Sequence, residues 1–216
     1  MFGYVEGIVG PPQRSGAHMR ENRTRERILE RATNLFYQHG FVGASIRDIA
    51  QAVGVANAKV YAHFKNKDHI LLAIITDIGE IILERQRNII SEDHDAEECF
   101  KRMIQEQVCL VKEKRKEIKI YLDEQHQLPR NLRKQSLEQH RELYELFRQK
   151  LEELKADRLI RDLDITVITF CVSGMIFWAY RWYREGGPLT IEEIADQIIR
   201  VFFDGVSATP RPVVEE

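Results

Sequence analysis

Apolar residues recur along this chain at helical spacing. Between Thr24 and His39 they fall at Ile28, Leu29, Ala32, Leu35 and Phe36, a single stripe of the 3.6-residue period. Thr24 stands where a cap would begin this helix, and Gly40 where one would stop. Ser45 caps a shorter segment that buries Ile46, Ile49, Ala50 and Val53, and Gly54 closes it. A third short helix near Ala56 to Phe64 turns Val60 and Phe64 to the same side. Asn66 or Lys67 then opens a long helix carrying Leu71, Ile74, Ile75, Ile78, Ile81 and Ile82.

The remainder follows the same period. Residues from about 95 to 125 align Phe100, Met103, Ile104, Val108, Val111, Ile118 and Tyr121, and Pro129 marks a break. Asn131 to Lys155 is rich in Leu, Glu, Gln, Lys and Arg, all strong helix formers. Asp164 caps an apolar helix expected to end at Gly186-Gly187-Pro188. Thr190, with Glu193 three residues on, makes a capping box for the last helix. No strand-like alternation of useful length appears. The expected fold is all-α: an N-terminal three-helix domain with a helix-turn-helix, then a helical bundle. The expected boundaries are an extension at 1–18, the first domain at 19–66, the bundle at 67–207 and a flexible tail at 208–216. The extension is Gly- and Pro-rich without a period and reads as disordered, which makes Met19 a natural start.

Charge adds an asymmetry. The net charge of the 216 residues is only −2. Between Met19 and Lys67, however, nine bases face four acids, a net of +5, and the rest of the chain carries −7. A basic head on an acidic body suits a molecule whose head alone meets phosphate, although patchy helical surfaces give the same picture. Cys99, Cys109 and Cys171 are odd in number and lack a C-x-x-C pair. They read as reduced, buried thiols, not as metal or redox groups. The longest uncharged run, Ile165 to Tyr180, is shorter than the ~20 apolar residues of a membrane span, so a soluble, cytoplasmic protein is expected.

The most specific signal lies in residues 45–64. In Ser45-Ile46-Arg47-Asp48-Ile49-Ala50-Gln51-Ala52-Val53-Gly54-Val55, the small Ala50 admits a second helix closely and Gly54 permits the positive φ of a tight turn. Ile49, Val55 and Val60 lock the interhelical angle. The following segment, Ala56-Asn57-Ala58-Lys59-Val60-Tyr61-Ala62-His63-Phe64, is then free to enter a major groove of double-stranded DNA. Together with Lys67 and Ile70-Leu71, these residues closely resemble the TetR family of transcriptional regulators, over about 50 residues. Two positions depart from the family pattern, Ala56 for Ser or Thr and Ala58 for Gly. The lost hydroxyl cap is worth about 1 kcal/mol unless a neighbour compensates.

The chemistry, with the resemblance, assigns DNA roles to Ser45, Arg47, Ala56, Asn57, Lys59, Tyr61, His63 and Lys67. Asn57 can pair with adenine and Lys59 can donate to guanine, so both are base-edge candidates. Arg47 reaches a base or a phosphate. Tyr61 and His63 are expected on the DNA backbone, and Ser45 and Lys67, with the amides opening the fourth helix, on phosphate. Arg20, Arg23 and Arg25 form either a minor-groove arm or a solvated face.

In the bundle, Ile165 to Trp182 shows two apolar stripes. One is Cys171, Met175, Trp178 and Trp182; the other is Phe170, Ser173, Phe177 and Tyr180. One is expected to face the interior and the other a partner subunit. The resemblance implies a homodimer through residues 165–185 and 190–206. Phe177 to Thr190 is similar to family members that regulate fatty-acid, steroid and aromatic-acid breakdown and respond to acyl-CoA thioesters. The implied function is a repressor that binds an inverted-repeat operator and is released by a small hydrophobic effector, an acyl-CoA or, as in efflux regulators, a drug-like amphipath. Phe100, Met103, Tyr121, Phe147, Phe170, Phe177 and Trp178 are the candidate effector pocket, with plain core as the alternative. Arg130, Arg133 and Lys134 stand where a CoA phosphate could be met. No catalytic residue, metal ligand or cofactor is expected. A helical di-iron enzyme needs two Glu-x-x-His pairs, and the sequence offers only Asp123-x-x-His126.

Overall fold

The computed structural model describes residues 16–92 and 94–206. Among the described residues there are eight α-helices: α1 (Gly16–Gly43), α2 (Ile46–Val53), α3 (Asn57–Tyr61), α4 (Lys67–Ser91), α5 (Ala96–Asp123), α6 (Arg130–Ala156), α7 (Ile165–Trp182) and α8 (Ile191–Val206). The expected flexible tail and the expectations for residues 1–15 lie outside the described residues. Residues 16–18, placed in the disordered extension by composition, already belong to α1.

The first helix thus starts well before Thr24. Thr24 donates to the Arg20 carbonyl at 3.0 Å, one turn back, and caps nothing. Arg20, Arg23 and Arg25 are therefore on helix, not on an extended arm. Gly40 does interrupt α1, at φ 69 and ψ 167, so that Phe41 folds back edge-on against Phe36 at 5.3 Å. Ile28, Ala32 and Phe36 are sealed beneath α2, α3 and the start of α4, together with Ile49, Val60, Ile70 and Leu71. Each of these side chains other than Ala32 contributes about 1.5–3 kcal/mol by leaving water.

α4 runs out of this small domain into the bundle. It packs chiefly on α5 and α6, and α5 in turn on α8. Arg85 of α4 bridges Glu106 and Glu113 of α5, and Arg87 ties Glu80 to Glu142 of α6. The first domain also touches α5 directly, where Lys116 donates to Asn34 at 2.6 Å.

α7 is apolar enough, by length and composition, to cross a membrane, yet one stripe of it is packed inside the bundle. That stripe is Ile168, Val172, Ile176 and Ala179, continued by Tyr180 and Tyr183. Apart from Tyr180, neither expected stripe is the buried one. A helix apolar on all sides carries no periodic signal to pick its inner face. Its regular part ends at Trp182, short of the Gly-Gly-Pro sequence. The cysteine expectation changes with it: Cys99 is buried and Cys109 half-buried, with its thiol pushed up to about 11 by burial, but Cys171 is exposed.

Candidate nucleic-acid interface and effector cavity

The turn between α2 and α3 is built by local hydrogen bonds. Ser45 Oγ accepts from the Asp48 amide at 3.2 Å, and Asp48 accepts from the Ser45 amide at 2.9 Å, which closes a capping box. The hydrogen bonds from the Ser45 hydroxyl and amide hold the Asp48 carboxyl below its usual range. Gly54 takes up the left-handed conformation, φ 76, and its amide reaches back to Ala50 and Gln51. Arg27 of α1 donates to the Val53 carbonyl at 2.7 Å and so fastens the end of α2 to α1. Sequence reading passed over Arg27, because its partner is 26 residues away.

α3 then stands with Ala56, Asn57, Lys59 and Tyr61 exposed on one rim and Val60 buried beneath. Ala56 occupies the N-cap position without any side-chain hydrogen bond, so the missing hydroxyl is not replaced by a neighbour. Arg47 is exposed on α2 beside this rim. Ser45 is exposed too, but its hydroxyl already donates to Asp48 at 2.6 Å.

Two of the residues expected at DNA are engaged or enclosed within the protein. Lys67 Nζ donates to the carbonyls of Phe41 and Ala44, both at 2.8 Å, and lies 4.2 Å from the centre of the Phe41 ring. The break at Gly40 leaves these carbonyls without helical partners, and Lys67 satisfies them. His63 is half-buried with its Nε2 enclosed and without a partner among the described residues. It lines a groove of about 280 Å³ between the first domain and the bundle, with Arg25, His69 and Gln135, away from the rim of α3. The physical reason is position: His63 follows the end of α3, where the chain turns inward to place Phe64 in the core.

Lys67→Met is accordingly expected to cost about 1–3 kcal/mol of stability, the price of two carbonyls losing their donor. Urea denaturation measures this. The salt dependence of binding to non-specific DNA should stay as it is, whereas a phosphate contact would lower its slope by about one.

The candidate effector residues divide. Phe100 and Met103 are fully buried, Phe100 within a cluster of Phe147, Phe202 and Phe203 at 5.6–6.2 Å, so these two are closed core. Trp178 is the opposite case. It sits two positions from Ile176, on the outer side of α7, is 58% exposed, and lies under the Arg181 guanidinium at 4.6 Å. Phe147, Phe170 and Phe177 do come together. With Leu143 they wall an open cavity of about 570 Å³ between α6 and α7. Its polar members include His140 and Arg141 of α6 and Ser173 of α7. Tyr121 stands just behind, stacked on the His140 ring at 4.1 Å and 6°. Arg133 is engaged by the carbonyls of His126 and Leu128 at the start of α6.

Residues 28–74 match the family described as bacterial regulatory proteins, tetR family, and residues 93–206 match the family described as tetracyclin repressor-like, C-terminal domain. The chain belongs to the TetR family and is a helix-turn-helix DNA-binding regulator of transcription. Among curated relatives, the HTH-type transcriptional repressor KstR2 of Rhodococcus jostii is 26% identical over 200 residues, 92% of this chain and 98% of that protein. Among solved structures, AibR in complex with isovaleryl coenzyme A and operator DNA is 28% identical with a TM-score of 0.77, over 83% of this chain and 98% of that one. The ketosteroid regulator KstR2 of Mycobacterium tuberculosis superposes with a TM-score of 0.79 at 22% identity, covering 85% and 94%, which speaks for the fold.

Proposed function

We propose that this protein is a dimeric repressor that grips an inverted-repeat operator with two α3 helices and lets go when an acyl-CoA enters the α6–α7 cavity. The observation that carries the effector half is that cavity: apolar walls of Leu143, Phe147, Phe170 and Phe177, open to solvent, with a guanidinium beside it. Such a composition suits an apolar acyl group whose anionic carrier stays outside. The relatives lend support, since one is named for steroid regulation and another holds isovaleryl coenzyme A. The protein acts in the cytoplasm on this reading, without a membrane.

The dimer is supported by the surface of α7 and α8. Val167, Trp178, Trp182, Leu189 and Val201 are exposed apolar residues there, around a groove of about 230 Å³. Contiguous apolar surface of this kind marks an association site. Two recognition helices in such a dimer would stand about 34–36 Å apart, or slightly more, one turn of DNA.

Release requires that the acyl-CoA bind the DNA-incompetent arrangement more tightly than the competent one. α4 is the lever, because its start holds the Phe41–Ala44 turn through Lys67 and its body is tied to α6 by Arg87. Titrating acyl-CoAs of graded chain length against a labelled operator tests this. Release at micromolar concentrations is expected. Release by none of them, alongside release by a hydrophobic cation, would make the protein a drug-responsive regulator instead.

Sequence reading by the exposed rim is expected from Asn57 and Lys59. Asn57→Ala or Lys59→Ala should relax discrimination at one base pair per half-site by about 1–3 kcal/mol. Tyr61→Ala should weaken all operators alike. Affinities for a panel of single-base operator variants measure both. An unchanged ranking of variants for Asn57→Ala and Lys59→Ala would remove these two from base readout.

A further inference from the structure

The cavity between α6 and α7 contains one feature that apolar packing does not account for. His140 lines it from α6, and its Nε2 is enclosed with no hydrogen-bond partner among the described residues. An enclosed polar atom without a partner is uncommon in a folded protein, because it has left water and gained nothing in return. The ring is held in place from behind. It lies flat on Tyr121, which is itself fully buried in α5. The imidazole therefore cannot swing outward to find water without breaking the stack.

The surroundings define what would satisfy it. Burial lowers the pKa of His140 to about 4, so the ring is neutral at physiological pH and offers one N–H and one lone pair. The Ser173 hydroxyl, the neighbouring polar group of α7, is engaged with the Thr169 carbonyl at 2.7 Å. Beyond His140 the walls are Leu143, Phe147, Phe170 and Phe177. Arg141, the next residue, is exposed and pairs with no carboxylate among the described residues. The α6 side of the lining thus combines hydrocarbon and the Tyr144 phenol with one neutral imidazole and one cation.

We infer that His140 is the specificity-determining residue of this cavity, donating from Nε2 to a carbonyl oxygen at the end of an apolar body. This rests on the acyl-CoA reading and deepens it: the acyl chain lies among the phenylalanines and the thioester carbonyl meets His140. The site should then favour a ligand with the carbonyl over one of equal length and charge that lacks it, since only the carbonyl gives the enclosed Nε2 a partner.

The test compares dodecanoyl-CoA with its S-dodecyl-CoA thioether, which differs only in the carbonyl, by titration calorimetry. The wild-type protein should prefer the thioester by roughly tenfold or more. His140→Phe keeps an aromatic ring on Tyr121 and should erase the preference. His140→Gln restores a donor and should recover part of it. Equal binding of the two compounds by the wild type, or a preference that survives in His140→Phe, overturns the role of His140 while leaving the acyl-CoA reading intact. Binding of neither compound overturns the acyl-CoA reading, and the role of His140 with it. The wild-type comparison needs no variant and stands even if a substitution impairs folding.

Discussion

Placing arginine at two outward positions, Cys171→Arg together with Val201→Arg, is expected to leave a folded chain that sediments as a monomer and has lost operator binding by at least ~100-fold. Both side chains are exposed in the single chain, Val201 at 64%, and neither supports the interior. The cost to folding should therefore stay within about 0.5 kcal/mol. In a two-fold pair the same substitutions put four cations into an apolar contact between copies, where desolvated like charges have no partner. Losing the tether between two readers removes an avidity gain of about 10²–10⁴. Sedimentation and operator titration, measured on the same samples, check the two halves. A variant that stays dimeric and grips its operator would take the α7–α8 face out of the interface.

Phe100→Ala and Phe170→Ala should behave as opposites, although sequence reading put both residues in one candidate pocket. Phe100 is fully buried and touches Phe147, Phe202 and Phe203, so truncation should cost about 3–5 kcal/mol by lost transfer energy and the void left behind. Phe170 is 64% exposed and meets only Tyr144, at 5.4 Å, among the aromatic contacts of the described residues. Its truncation should change stability by under about 1 kcal/mol and instead weaken effector binding, since it removes one wall of the cavity. Chemical denaturation and calorimetry together distinguish the outcomes. A Phe170→Ala variant with wild-type affinity for every effector that releases the operator would shift the ligand site away from the α6–α7 cavity.

How much was legible in advance follows the distance between partners along the chain. The capping boxes at Ser45–Asp48 and Thr190–Glu193 and the caps at Asn66, Asp95 and Asp164 each close within three residues. So does the left-handed turn at Gly54. Asp95 was not singled out in the sequence, yet it is of the same type. These features need only local geometry, and residue type at fixed spacing announces them. The boundaries of α2, α5 and α8 came out nearly where the periodicity put them for this reason. The start of α1 did not. Thr24 has the chemistry of a cap, but a hydroxyl inside a helix bonds one turn back just as readily, and spacing alone does not tell the two apart.

The amino-acid sequence by itself determined the helix-turn-helix, the exposed order of Asn57, Lys59 and Tyr61 around a buried Val60, and the all-helical body, because each depends on neighbours within a turn or two. Only the tertiary structure decided what the remaining groups do. Lys67 turned to the Phe41 and Ala44 carbonyls because a break 27 residues earlier left them unpaired. Phe100 became core and Phe147, Phe170 and Phe177 a cavity wall according to which helices closed over them. α7, apolar on every side, presented Ile168, Val172 and Ile176 inward only because α5 and α6 arrived on that side. Hydrophobicity says that a surface must be covered; the identity of the cover is settled by packing between segments far apart in the chain.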